Sequence, residues 1–225
     1  MINRNNFWHF GDSFSLNGNS SDLKTSFGWY LSEKFDRNYL LKGKSGNSNN
    51  IIFSDILQND SNFKENDIVF INWSFFHRGS YVDDNGYIQS TNKFFNENEN
   101  NITIDKSTTD FLKKHEFILD YTLNYSYDSN IKLFKGMVNP YIDSLYSRGI
   151  KVYSLFIRGN ETLKYGNNTI KNTEYNINPT GTIEFNPSYL YWLISKGWKN
   201  EEEGHYSKGI QEKLANEIYS RIESL

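Results

Sequence analysis

The stretch FWHFGDS, residues 7–13, constrains the fold of this chain more than any other. Its first four side chains are large, and such a run is typical of a strand that is buried on both faces, as in a parallel sheet. Gly11 then permits a sharp backbone turn, and Asp12 and Ser13 can satisfy free amides within it. The stretch therefore predicts a central strand with Ser13 at the carboxyl edge of the sheet, where open α/β folds bind their ligands.

Strand and helix patterns alternate along the rest of the chain. Runs of β-branched and aromatic residues predict further strands at residues 38–41, 67–71 and 151–157. Apolar residues at helical spacing predict helices between these strands and a last helix at residues 207–225. Alternating strands and helices form a parallel sheet through right-handed crossovers, with helices on both faces. We therefore expect an α/β fold, a three-layer α/β/α sandwich.

The length of 225 residues suits one well-buried domain, and we expect a single domain over residues 1–225. Residues 81–88 have a turn sequence between β-forming residues, which predicts a small hairpin. Residues 158–187 are rich in Asn, Thr and Gly, and we interpret them as an irregular excursion over the functional face of the sheet.

Composition excludes several classes of protein. The net charge of −3 argues against a nucleic-acid partner. No apolar run approaches the roughly 18 to 20 residues that a membrane span needs, and the first residues lack the apolar segment of a signal peptide. We therefore expect no membrane association and a cytoplasmic or virion-associated protein. The chain has no cysteine, which excludes disulfides, cysteine nucleophiles and thiolate metal sites.

A serine hydroxyl needs a base to become a nucleophile, and the chain has four histidines. His9 lies inside the buried strand, where a neutral imidazole is expected, and His115 lies among lysines in a predicted helix. His77 follows the third strand and is positioned to line a site. His205 lies just before the last helix, on a loop that can reach the carboxyl edge, so we favour His205 as the base. The histidines are far apart in sequence and form no ligand pattern, so we expect no metal and no cofactor.

Four segments together resemble the SGNH (GDSL-type) hydrolase family. They are the Gly-Asp-Ser turn at 11–13, the glycine turn at 46–50, the end of the third strand at 68–74, and the acid-x-x-His of Glu202 and His205. They occur in the family's order and span most of the chain. The resemblance implies a flavodoxin-like parallel sheet of about five strands. It also implies a serine esterase that acts without a metal or cofactor.

The resemblance also assigns the catalytic roles. Ser13 would be the nucleophile, His205 the base, and Glu202 the acid that orients it, although the family has aspartate at this spacing. Glu203 is two residues before His205 and stays an alternative acid. The backbone amides of Ser13 and Gly46 would stabilise the oxyanion.

The third segment departs from the family's Gly-x-Asn-Asp pattern. Aligning the strand ends puts Asn72 at the glycine position and Ser74 at the asparagine position, and either side chain could be the third oxyanion donor. Trp73 and Arg78 lie beside them and are expected to shape the acyl or sugar pocket. The remaining residues expected to face the substrate are Asp12 and Asn49.

Aromatic residues make up 17% of the chain, and the flat faces of Tyr and Trp suit sugar rings. We therefore expect a small ester, most simply an O-acetyl group on a polysaccharide, as substrate. Two alternatives stay open. One is a catalytically weak carbohydrate-binding or structural module, such as a phage tail-associated protein. The other is an O-acyltransferase, in which a sugar hydroxyl replaces water.

Overall fold

The computed structural model describes residues 4–12, 15, 23–44, 46–74, 80–82, 88–90, 95–97, 102–104, 126–156, 162–165, 168–171, 179–185, 192, 195–196 and 208–225. The strands among these residues are β1 (Asn6–Gly11), β2 (Asn38–Leu41), β3 (Ile68–Trp73), β4 (Ser80–Val82), β5 (Ile88–Ser90), β6 (Phe95–Glu97), β7 (Ile102–Ile104), β8 (Lys151–Phe156), β9 (Thr162–Tyr165), β10 (Asn168–Lys171) and β11 (Thr182–Ile183). The α-helices are α1 (Phe27–Lys34), α2 (Asn49–Gln58), α3 (Ser126–Leu133), α4 (Asn139–Ser147) and α5 (Lys208–Ile222). A π-helical turn, Phe134–Val138, joins α3 to α4.

The main sheet has five parallel strands in the order β11-β8-β3-β1-β2. Strand β3 is the middle strand, and β1 is an interior strand between β3 and the edge strand β2, with Phe7 beside Tyr39 of β2 and Ile68 of β3. Starting from β2, the first three positions follow the 2-1-3 order of flavodoxin-like sheets, and β8 and β11 then follow in sequence order. The predicted α/β fold class is therefore confirmed.

Helices cover both faces of this sheet. Helices α1 and α5 pack on the face that carries Phe7 and Phe70. Helices α2 and α4, with the π-helical turn, pack on the face that carries Trp8 and Phe10. Successive side chains of β1 thus enter opposite hydrophobic cores, because side chains alternate along a strand. This explains the unbroken run of large residues in β1.

The smaller elements lie in the middle of the chain. Strands β4 and β5 form an antiparallel hairpin, as predicted. Strands β6, β7, β9 and β10 form a four-stranded sheet in the order β10-β9-β7-β6. The predicted excursion at 158–187 contains β9, β10 and β11 in its described part, and the sequence did not predict these strands.

Helix boundaries follow local capping. Helix α1 begins at Phe27, because Ser26 is the N-cap and accepts a hydrogen bond from the Trp29 amide at 3.2 Å. Gly149 follows α4 with a φ of +76°, as expected for a glycine that ends a helix. The sequence also predicts a helix over residues 108–128, of which residues 126–128 lie in α3 and the rest lie outside the described residues. Within the described ranges, no helix has the length and apolar character needed to cross a bilayer.

Candidate active site

The loop after β2 folds back onto the end of β1. The Lys42 amide donates to the His9 carbonyl at 2.8 Å, and the Lys44 amide donates to the Gly11 carbonyl at 3.2 Å. The Asn47 side-chain amide also donates to the Gly11 carbonyl, at 3.3 Å. These bonds fix the glycine turn of residue 46 beside the end of β1.

Gly46 adopts a backbone conformation that favours glycine over other residues. Its φ is +79°, a left-handed value that costs side-chain-bearing residues roughly 1–2 kcal/mol. The residue is buried, and no described group accepts a hydrogen bond from its N–H. Helix α2 begins three residues later, at Asn49, so its positive amino-terminal end lies next to this amide. The turn can therefore present a backbone donor to a negatively charged atom.

Asp12, Ser74 and Asn49 form a hydrogen-bonded bridge across three segments. The Ser74 hydroxyl donates to Oδ2 of Asp12 at 2.8 Å, and the Ser74 backbone amide donates to Oδ1 of Asn49 at 2.8 Å. Each of the three residues is at most 1% exposed. The bridge thus connects the end of β1, the end of β3 and the start of α2. Asp12 and Asn49 were expected to face substrate, and the structure places their side chains in this buried bridge.

A second polar group lies on the α1 and α5 face of the same strand ends. Asn72 pairs with Gly11 across β3 and β1, and a Cβ atom at Gly11 would overlap Ser15 Oγ and lie 2.9 Å from Asn72 Cβ. Asn72 and Ser15 are fully buried. Among the described residues, neither the Asn72 amide nor the Ser15 hydroxyl has a hydrogen-bond partner. Gly11 therefore leaves room for two polar groups whose hydrogen bonds are unmade.

Trp73 lies in the core. Its ring is fully buried and packs edge-on against Phe134 at a centroid distance of 4.6 Å. Its Nε1 donates to Ser154 Oγ at 3.1 Å. The sequence placed Trp73 in the substrate pocket, but β3 extends through this residue, and alternation turns the ring towards α2 and α4.

His9 is buried as predicted, and burial lowers its pKa to about 3, so the imidazole is neutral. Its Nδ1 lies 3.0 Å from the Tyr39 hydroxyl, which lies 3.0 Å from Ser26 Oγ. The sequence did not reveal this series of side-chain hydrogen bonds. Burial also raises the pKa of Tyr39. The buried His9 side chain therefore cannot contact a substrate.

The described residues include no group of three His, Asp or Glu side chains suited to a metal.

The remaining predicted site residues lie outside the described residues. They are Ser13, Arg78, Glu202, Glu203 and His205, together with His77.

The start of α5 is fixed in position, because Gln211 Oε1 accepts a hydrogen bond from the Phe27 amide at 2.7 Å. Helix α1 starts at the carboxyl edge of the sheet, since it follows β1, so α5 starts there too. Sequence reasoning missed Gln211, which looks like an ordinary polar helix residue.

No protein-family profile matches the chain, and no curated protein matches its sequence. Among solved structures, it is similar to a protein assigned to the G-D-S-L family of lipolytic proteins from Desulfitobacterium hafniense DCB-2. That match has 15% identity, covers 96% of this chain and 98% of the other, and has a TM-score of 0.35.

The chain is also similar to a carbohydrate esterase whose active site has divergent catalytic and non-catalytic binding functions. This match has 13% identity, covers 98% of this chain and 69% of the other, and has a TM-score of 0.38. The strand order establishes the fold of this chain, and its chemistry has to be inferred from its own strand-end residues.

Proposed function

We propose that this chain is a serine esterase of the SGNH type. Ser13 is its nucleophile, His205 its base, and Glu202 the acid that orients His205, with Glu203 as the alternative. The observation that supports the proposal is the bridge from Asp12 through Ser74 to Asn49, with both hydrogen bonds at 2.8 Å. It joins three of the four sequence segments on which the proposal depends.

The reaction proceeds through an acyl-enzyme. Ser13 Oγ attacks the ester carbonyl carbon while His205 takes the hydroxyl proton. The tetrahedral intermediate collapses, the bond to the alcohol oxygen breaks, and His205 returns the proton to that oxygen. A water molecule then attacks the acyl carbon and gives a proton to His205. The bond from the acyl carbon to Ser13 Oγ breaks, His205 returns the proton to Oγ, and the acid is released.

The oxyanion is stabilised by backbone amides. Those of Ser13 and Gly46 are the two donors, and Asn72 or Ser74 would add a side-chain donor. The left-handed turn at Gly46 and its position before α2 support its part in this site. Donors that are fixed before the reaction need no reorganisation when the charge develops.

The proposed substrate is a small acyl ester, most simply an O-acetyl group on a carbohydrate. The 17% aromatic content supports a sugar substrate, since Tyr and Trp stack well on sugar rings. Arg78 would contact the acyl or sugar group. The engaged Ser74 hydroxyl and the glutamate at position 202 also suit a weakly catalytic carbohydrate-binding or structural module, which is the second candidate. An O-acyltransferase would share every step up to the acyl-enzyme.

Labelling with a fluorophosphonate probe tests the proposal. We expect the probe to modify Ser13, which peptide mass spectrometry would locate. Ser13→Ala should abolish labelling and lower turnover of p-nitrophenyl acetate by about 10⁴-fold, as in other triads. Ser144→Ala, on an exposed position of α4, is the matched control and should keep wild-type activity.

The other outcomes separate the alternatives. A wild-type protein that is not labelled and does not hydrolyse aryl esters or acetylated sugars would support the binding module. A labelled protein that transfers its acyl group to a sugar hydroxyl faster than to water would be an acyltransferase.

A further inference from the structure

The Ser74 hydroxyl sits at the centre of the bridge. It donates its proton to Oδ2 of Asp12 at 2.8 Å, while its backbone amide donates to Asn49 at 2.8 Å. A hydroxyl group has one proton to donate. In this arrangement, the Ser74 hydroxyl therefore has no second proton for an oxyanion.

The Asp12 side chain is fully buried, and its Oδ2 accepts the Ser74 proton. Leaving a buried carboxylate oxygen without its donor is costly, so Asp12 holds the Ser74 hydroxyl in place. Asn49 Oδ1 holds the adjacent backbone amide from the other side. Ser74 is thus fixed through two of its own groups.

The bridge controls the spacing of groups that the proposed reaction needs. Asp12 is the neighbour of Ser13 in sequence, and Asn49 opens the helix that follows Gly46. A shift at Ser74 would therefore move the nucleophile relative to the Gly46 amide. A displacement of about 1 Å can cost about 10²-fold in rate.

We infer that Asp12 and Asn49 are positioning residues that act through Ser74, and that Ser74 is not an oxyanion donor. This inference rests on the proposed esterase function. It departs from the role that the family resemblance implied for Ser74, and it explains why Asp12 and Asn49 are buried rather than open to a substrate.

A double-mutant cycle tests the inference. We expect Asp12→Ala and Ser74→Ala each to lower the kcat for p-nitrophenyl acetate by about 10- to 100-fold, with KM within about threefold. The double variant should be no slower than the slower single variant, because both changes break the same bond. Rates of Ser13 labelling should follow the same pattern.

Two further variants keep the test decisive where Asp12→Ala fails to fold. Ser74→Thr keeps the hydroxyl and should retain kcat within about threefold, whereas Ser74→Val has nearly the same shape without the hydroxyl and should lose about 10- to 100-fold. Ser154→Ala is the matched control, since Ser154 is another fully buried serine of the sheet and bonds Trp73 instead. It should lower thermal stability while kcat stays within about threefold.

Several results would overturn the inference. If the losses in the single variants multiply in the double variant, then Ser74 and Asp12 act independently and Ser74 is a direct donor. Equal activity of Ser74→Thr and Ser74→Val would show that the hydroxyl has no role. In both cases the wild type is still labelled at Ser13, so the esterase proposal survives. An unlabelled wild type overturns the esterase proposal and this inference together.

Discussion

Two buried aspartates lie at opposite edges of the main sheet. Asp67 precedes β3 at the amino edge and accepts three hydrogen bonds, from the Asn6 amide at 2.8 Å, the Trp8 indole at 2.9 Å and the Lys64 amide at 3.1 Å. Asp12 follows β1 at the carboxyl edge and accepts from the Ser74 hydroxyl. Both aspartates are fully buried, so the difference between them lies in their surroundings.

The surroundings differ in how many hydrogen bonds are made. The donors around Asp67 come from the backbone and an indole that the fold itself fixes. Near Asp12, several buried polar atoms have no partner among the described residues: both amide atoms of Asn72, Ser15 Oγ and Asn49 Nδ2. Unmade hydrogen bonds in a core cost stability, and native proteins keep few of them. We infer that the amino edge stabilises the sheet, while the carboxyl edge holds polar groups, unpaired among the described residues, that are available for the proposed chemistry.

Among the effects that compare the two edges, we expect the largest from a substitution at the amino edge that lowers the stability of the whole fold. Asp67→Ala should lower the free energy of unfolding by about 3–5 kcal/mol, because the buried Trp8 indole and two part-buried backbone amides lose their acceptor. Urea denaturation would measure this loss. Asp143→Ala, at an exposed position of α4, should change stability by less than about 0.5 kcal/mol. A fall in kcat of folded Asp67→Ala, with stability unchanged, would remove the distinction between the edges.

The next effect concerns the acid that orients His205. Glu202→Gln should lower kcat by several hundred-fold, about 3.5 kcal/mol, since the wrong imidazole tautomer would be favoured, while KM is spared. Glu203→Gln is the matched control and should stay within about threefold of wild type. The reverse pattern would make Glu203 the acid. Two mild effects would mean that His205 and Ser13 act as a dyad.

The sheet could be predicted because each of its long strands has a local signal. The run at 7–10 is buried on both faces, and the run that begins at Ile68 is β-branched and aromatic, so both strands follow from pattern alone. The face of the sheet on which a strand-end side chain lies, and the group that it contacts, could not be predicted from these patterns. Trp73 turned into the core because β3 extends by two residues beyond the predicted end at residue 71. The pairing of Asp12 with Ser74 depends on the register between strands, which no single segment encodes.

The smallest of the expected effects concerns Asn72, which distinguishes the two edges most directly. Asn72→Ala removes an amide whose two polar atoms are buried and unpaired among the described residues. Removing a polar group that makes no hydrogen bond relieves a desolvation penalty, which offsets part of the packing that is lost. We therefore expect unfolding stability within about 1 kcal/mol of wild type, in contrast to Asp67→Ala.

The catalytic rate of Asn72→Ala, unlike its stability, should fall clearly. Asn72 lies on the sheet face of α5, the helix that follows His205, so its amide is a suitable side-chain donor once Ser74 is engaged with Asp12. Asn72→Ala should then lower kcat on the order of 10²-fold, about 2.7 kcal/mol, with KM little changed. Steady-state kinetics and urea denaturation of one preparation would measure both quantities. A marked loss of stability with unchanged kcat would show that this amide is structural, and the oxyanion would then depend on backbone amides alone.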